Sequence, residues 1–242
     1  CIECFRCVKP KAKGGLELAL RVPGDEIENI RDHNPNMAEI WFLFLGTGAA
    51  LGGFLWLVLP YYQTLRQQVG EWFINHEWYW IAQSGPSWLM SVHPERREVF
   101  FWLDFFMIVG TMLACAIVIT GVLYLTTQIA AWLSGKVGGD RTKKLRFTEL
   151  GYQYAPVAMV SLILGLGAEL FAPLTLLGLE SESIAYVKAS LFIPAIIWSI
   201  FLGDRILKRQ GLKTSVRWIP LLPGVIGSVF VAFAWWPALF SG

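Results

Sequence analysis

The sequence predicts an all-α polytopic membrane protein with about five transmembrane helices and a small cysteine-rich head at its N-terminus. The chain of 242 residues is 55% hydrophobic. Only 16% of its residues are charged, whereas soluble domains carry about 25%. Five apolar stretches approach or exceed the ~20 residues that a helix needs to cross hydrocarbon. Most of the charged residues lie between these stretches, which is the pattern of a chain that crosses a bilayer repeatedly.

Residues 1–36 are predicted to form the head and a polar tether, and residues 37–242 the transmembrane domain. The head begins with three cysteines. An alternation of apolar and polar residues from Leu16 to Leu20, after the turn at Gly14 and Gly15, predicts a short strand. Because the chain begins at Cys1 and not at a methionine, we expect it to be part of a longer protein.

The five spans are predicted at residues 38–59, 100–133, 154–179, 184–202 and 218–240. The second stretch would measure about 51 Å as one helix, so it should project beyond the bilayer. The fourth contains Pro194, which predicts a kink. None of the stretches resembles a signal peptide, because the N-terminus is polar and rich in cysteine.

Small residues from Gly46 to Gly53 interrupt the first span. Their spacing superficially resembles a dinucleotide-binding loop, but no strand precedes them and the surrounding run is apolar. We therefore expect Gly48 and Gly52 to form a small-residue face for close helix packing. Cys115, in the middle of the second span, is expected to be a small packing residue.

The connection at residues 60–99 is the longest one and is rich in aromatic residues. It is expected to lie along the outer membrane–water interface as one or two amphipathic helices. The alternative is that it forms a docking surface for a partner on the outer side.

The basic residues predict the orientation. Sixteen of the 20 Lys and Arg residues lie before the first span, in the connection at 134–153 or in the connection at 203–217. Five crossings bring these three segments to one side of the membrane. Because cytoplasmic loops concentrate Lys and Arg, we expect a cytoplasmic head and a C-terminus on the outer side.

The sharpest chemical signal is the run Cys1-x2-Cys4-x2-Cys7. Ferredoxin-type chains use this spacing to hold one corner of a [4Fe–4S] cube with three thiolates. A disulfide among them is not expected, because the cytoplasm is reducing. Two other interpretations stay open, namely a zinc site, for which only His33 lies nearby, and a remnant motif that binds no metal.

The surrounding sequence CIECFRCVKPKAKGGLEL, with its continuation to Pro23, resembles membrane-bound iron–sulfur proteins of the NosR/NapH kind. That resemblance implies a ferredoxin-like head whose 4Fe–4S cluster faces the cytoplasm, with Cys1, Cys4 and Cys7 as ligands. It also implies an electron-transfer subunit of a larger redox complex in the inner membrane of a prokaryote. The family motif continues with Cys-Pro, where this chain has Lys11 and Ala12, so the resemblance does not extend to a second cluster ligated at position 11. The fourth ligand of the cube held by Cys1, Cys4 and Cys7 is expected from outside this segment.

Two acidic residues within predicted spans are further candidates, because ionisable groups inside a membrane mark functional sites by default. Asp104 and Glu169 lie towards the outer side and could form a quinone or proton site with His76 or His93. The alternative is that Asp104 is an interfacial residue and Glu169 pairs with another helix or subunit. No intrinsic haem is expected, because His33, His76 and His93 all fall in loops.

No catalytic constellation is evident, so the expected role is electron transfer and not bond-making chemistry. The expected partners are the lipid bilayer, other subunits of a redox complex, and a quinone or a soluble electron carrier. Nucleic acid is not expected. An alternative function is a structural or assembly subunit whose cysteine motif no longer holds a cluster. A transporter is less favoured, because the sequence offers few polar groups near mid-membrane.

Overall fold

The structure is a computed structural model that describes residues 24, 27, 35–86, 88, 90, 92–93, 98–139, 142–166, 168–176 and 178–240. The predicted cysteine head and its short strand lie outside these residues. Within them the chain is mainly helical, with a two-stranded antiparallel ladder of β1 (Val92–His93) and β2 (Glu98–Val99) and a single bridge between Ser84 and Phe101. The all-helical prediction is therefore confirmed for the membrane domain.

Most of the described helices follow one another with short connections, and the long connection between Asn75 and Trp102 contains β1 and β2. They are α1 (Met37–Val58), α2 (Pro60–Asn75), α3 (Trp102–Lys136), α4 (Lys143–Gly151), α5 (Ala155–Leu166), α6 (Ala172–Leu176), α7 (Ser181–Ser190), α8 (Phe192–Arg209), α9 (Thr214–Ala234) and α10 (Trp236–Phe240). Short 3-10 turns cover Tyr79–Ala82, Tyr152–Tyr154 and Ala168–Phe171.

Four helical segments of the described chain are long and apolar enough to cross a membrane. They are Met37–Val58, Trp102–Lys136, Glu182–Arg209 and Thr214–Phe240. These correspond to the first, second, fourth and fifth predicted spans. The second has 35 residues, or about 52 Å of helix, so the expected projection beyond the bilayer follows from its length.

The third predicted span is wrong as a single helix over 154–179. Helix α5 has 12 residues, and a 3-10 turn and the short α6 follow it. Upstream, right-handed helical backbone continues from α4 through Tyr152–Tyr154 into α5. Pro156 accounts for the 3-10 turn, because proline cannot donate to the carbonyl four residues earlier. That carbonyl, on Tyr152, instead accepts from the N–H of Ala155.

Close contacts show that the bundle alternates in direction. Gly48 and Gly52 of α1 face Ala116 and Met112 of α3, so these helices are antiparallel. Gly151 lies against Ile40, and Gly165 lies against Ala50. The α4–α5 run therefore lies beside α1 and follows it in the same direction.

The last two long helices complete the alternation. Ser199 contacts Ser228, and Asp204 contacts Arg217, so α8 and α9 are antiparallel. We call the end where α1 begins, α3 ends and α9 begins the basic end. Helices α7 and α8 are separated at Leu191, three residues before Pro194, and the backbone there keeps right-handed helical angles.

The exposure pattern is the reverse of that in a soluble protein. Large apolar side chains point outward from the long helices, with Phe42 75%, Ile117 67% and Phe233 71% exposed. Polar side chains such as Thr127, Ser134 and Ser228 are completely buried. Such a surface contacts lipid, where apolar side chains need no cover.

The predicted small-residue face is confirmed. A Cβ added to Gly48 would lie 2.6 Å from the Cα of Ala116, and one added to Gly52 would lie 2.7 Å from the Cα of Met112. Real Cβ atoms do not come so close to backbone, so only glycine allows this approach of α1 to α3. Cys115 is partly buried at the same contact, in agreement with its expected packing role.

We expect Gly48→Ala to lower the free energy of unfolding by about 1–3 kcal/mol, because the added methyl group overpacks the contact with α3. Gly46→Ala is the matched control, because nothing lies within 4 Å of the added Cβ. Alanine favours helix by about 1 kcal/mol over glycine, so the control should be neutral or stabilising. Thermal unfolding in detergent measures both variants. Equal effects would contradict the proposed packing.

Candidate functional site

The predicted iron–sulfur ligands Cys1, Cys4 and Cys7 lie outside the described residues, as does His33. Among the residues that the structure describes, no group of three or more His, Cys, Asp or Glu side chains could hold a metal ion. The cluster assignment therefore stays a prediction from the sequence. The described part of the molecule shows how the chain leaves the head and enters the bundle.

The start of α1 is fixed to the end of α4. Asn36 caps α1 by accepting from the N–H of Ala38 at 3.0 Å. The hydroxyl of Tyr152 accepts from the N–H of Asn36 at 3.0 Å and donates to Glu39 Oε2 at 2.6 Å. Burial and then the hydrogen bond to Glu39 raise the pKa of Tyr152 to about 12. The hydroxyl therefore keeps its proton at neutral pH and joins the tether to the bundle.

The predicted candidate Asp104 is an interfacial ion-pair partner. One of its carboxylate oxygens accepts from Arg66 of α2, and the other accepts from the N–H of Phe101 at 2.9 Å. Tyr62 is buried nearby, and its pKa is raised first by this burial and then by Asp104. These contacts fix α2 against the start of α3.

The other members of the predicted quinone or proton site are not brought to Asp104 by the described contacts. Glu169 lies in the 3-10 turn Ala168–Phe171, but its side chain is outside the described part of the chain, as is the side chain of His93. His76 is exposed after α2, with Nδ1 2.7 Å from the carbonyl of Trp72. The proposed grouping of these residues stays a prediction.

Sequence reasoning missed a buried polar cluster at the basic end. Glu149 on α4 is only 1% exposed. Gln210, directly after α8, donates to Glu149 Oε2 at 2.8 Å and accepts from the hydroxyl of Ser134 at 2.7 Å. Three segments that are distant in sequence therefore meet at one amide. Such interhelical hydrogen bonds join helices where apolar burial gives no net attraction.

Two arginine side chains form further contacts between helices at the basic end. Arg217 of α9 is 8% exposed and donates to both carboxylate oxygens of Asp204 on α8, at 2.8 and 2.7 Å. Arg146 of α4 donates to the carbonyls of Ala131 and Gly139 at 3.1 and 3.2 Å. These contacts join α8 to α9 and the end of α3 to α4.

Deeper in the bundle, further polar pairs connect the helices. The hydroxyls of Tyr154 and Thr126 are 2.7 Å apart. Trp235 donates to the hydroxyl of Ser161 at 3.0 Å. Gln153 is 1% exposed, and its Nε2 has no hydrogen-bond partner among the described residues. The described bundle therefore contains buried polar side chains, some of which pair between helices.

A helical pattern could have revealed Glu149 and Gln153. Phe147, Leu150 and Tyr154 recur at three- and four-residue spacing and are all buried, which is the signature of a helix face. The density of Lys and Arg around them instead indicated a loop. No sequence signal identifies the partners Gln210 and Ser134.

Comparisons of the chain with protein-family models, with curated proteins and with solved structures gave no match. The candidate roles therefore depend on the residues and geometry of this chain alone.

We expect Asp104→Asn and Arg66→Gln each to lower the free energy of unfolding by about 1–2 kcal/mol, because each breaks a partly buried ion pair. The double variant should cost clearly less than the two single changes added together, since the residues act as a unit. The free energies of unfolding of the natural chain, the two single variants and the double variant, measured in detergent, give the coupling energy between the two residues. Strict additivity would show that Asp104 and Arg66 act independently.

Proposed function

We propose that this chain is a membrane-anchored iron–sulfur electron-transfer subunit of a larger redox complex. The observation that carries the proposal is the run of Cys1, Cys4 and Cys7 directly before a helical membrane domain. Three thiolates at this spacing match one corner of a [4Fe–4S] cube. When bound, such a cluster supplies a site that accepts and releases one electron.

The anchor is consistent with a head held at the membrane surface. Residues Asn36 and Glu39 are tied to Tyr152, so the chain enters α1 at a fixed point of the basic end. The ends of α3 and α8 lie at the same end, because Ser134 and Gln210 are in contact there. A fixed entry point of this kind would attach a redox head to the bundle at the basic end.

The same arrangement supports a cytoplasmic head and an outer C-terminus. The basic end includes Lys143, Lys144, Lys208 and Lys213, whose side chains are exposed. By the positive-inside rule this end faces the cytoplasm. A cytoplasmic head would exchange electrons with a soluble carrier or another subunit, and a quinone is the expected carrier within the membrane.

The second candidate is a structural or assembly subunit without a cluster. Lys11 favours it, because the motif's fourth cysteine would stand at that position. The many hydrogen bonds between buried helices also suit a packing role. In two-cluster ferredoxins, however, that fourth cysteine binds the other cluster, so its loss is compatible with one cube held by Cys1, Cys4 and Cys7.

We expect the natural full-length protein, purified without oxygen, to contain about four iron and four sulfide per cluster. It should also give an electron paramagnetic resonance signal on reduction. Cys4→Ser should lose most of this iron, because a thiolate ligand is removed. Cys115→Ser is the matched control and should keep it, since Cys115 lies within α3, away from the head.

Absence of iron from the anaerobic protein would refute the electron-transfer proposal. If Cys4→Ser left the activity of the assembled complex intact, the structural candidate would replace it. Zinc in place of iron would support the metal-site alternative.

A further inference from the structure

An aromatic wall lines a concavity of about 510 Å³ at the basic end, between α1, α3 and α4. Trp41 of α1 stacks on Tyr124 of α3 with ring centroids 5.7 Å apart and an interplanar angle of 19°. Phe147 of α4 contacts the same tyrosine at 5.3 Å. The wall is therefore built by three helices and is fixed by ring packing.

Two cations stand at the rim of this concavity. Lys143 and Lys144 are exposed and begin α4, directly after the helix cap Thr142. The partial positive charge of a helix start adds to the attraction for an anion. A second concavity of about 550 Å³ continues past Lys144 and is lined by the polar residues Asn36, Thr142 and Thr148.

The apolar side of the concavity continues towards the lipid. Leu45 follows Trp41 by one helical turn and is 45% exposed, and Ile117 lies two turns from Tyr124 and is 67% exposed. Residues at these spacings share one helix face. The wall therefore opens onto the lipid-facing surface, with its cationic rim at the basic end.

We propose that this concavity binds an anionic phospholipid, with the phosphate between Lys143 and Lys144 and the acyl chains along Leu45 and Ile117. Basic pockets between transmembrane helices are suited to such headgroups. A soluble phosphate would use the lysines but would gain nothing from the aromatic wall or the apolar surface below it. The proposal does not depend on the iron–sulfur assignment.

The test is native mass spectrometry of the full chain in neutral detergent, titrated with phosphatidylglycerol, phosphatidylcholine or inorganic phosphate. We expect phosphatidylglycerol to bind most tightly. A lysine near a surface contributes about fivefold to the attraction of anionic lipid. The variant Lys143→Gln/Lys144→Gln should therefore bind phosphatidylglycerol about 25-fold more weakly, with little change for phosphatidylcholine.

The matched control is Lys208→Gln/Lys213→Gln, which removes the same charge from exposed positions at the same end of the bundle. It should keep most of the affinity. An equal loss in the control would overturn the proposal, because general charge attraction would then explain the binding. Equal binding of inorganic phosphate and phosphatidylglycerol would also overturn it. The unfolding midpoint of each variant establishes that the bundle is intact.

Discussion

The backbone contact between α1 and α3 is the constraint on which the rest of the bundle depends. Gly48 and Gly52 allow the two helices to approach until backbone atoms touch. On its other side α1 receives the α4–α5 run, where Gly165 meets Ala50 and Gly151 meets Ile40. Helix α1 is therefore packed closely on two sides. Its first turn, where the chain leaves the head, takes its position from these contacts.

Hydrogen bonds between helices act together with close packing to fix the arrangement of the bundle. In lipid, burying an apolar side chain between helices gains little over leaving it exposed, so van der Waals contact and polar pairs select the arrangement. The Ser134–Gln210–Glu149 cluster and the Arg217–Asp204 pair concentrate at the basic end. The Asp104–Arg66 pair fixes the opposite end. A bundle locked at both ends suits an anchor better than a transporter, which needs two interconverting packings.

The apolar content of each stretch predicted the long helices. The other features of the fold depend on contacts between residues that are distant in sequence. The first predicted span, 38–59, differs from α1 by one residue at each end. The fourth, 184–202, stopped short of Arg209, because the polar last turns of α8 lower the local hydropathy although the helix continues. The third failed as a single helix, because a 3-10 turn precedes Pro156 and α5 ends at Leu166. Arg66 is 38 residues from Asp104, and no local pattern encodes such a pairing.

The contact between α1 and α3 can be measured directly by cross-linking. A Cβ on Gly52 would lie 2.7 Å from the Cα of Met112 and 3.0 Å from the Cβ of Cys115. The helices must therefore separate slightly to accept a side chain there, and this separation brings the two Cβ atoms to the ~3.5–4.5 Å that a disulfide spans. In a chain with Cys1, Cys4 and Cys7 changed to Ser, Gly52→Cys should form a disulfide with Cys115 on mild oxidation in membranes. Gly46→Cys, on the open side of α1, should stay reduced. Peptide mass spectrometry without reductant detects any disulfide-linked peptide in both variants. Failure of Gly52→Cys to cross-link, or equal cross-linking of both variants, would contradict the account.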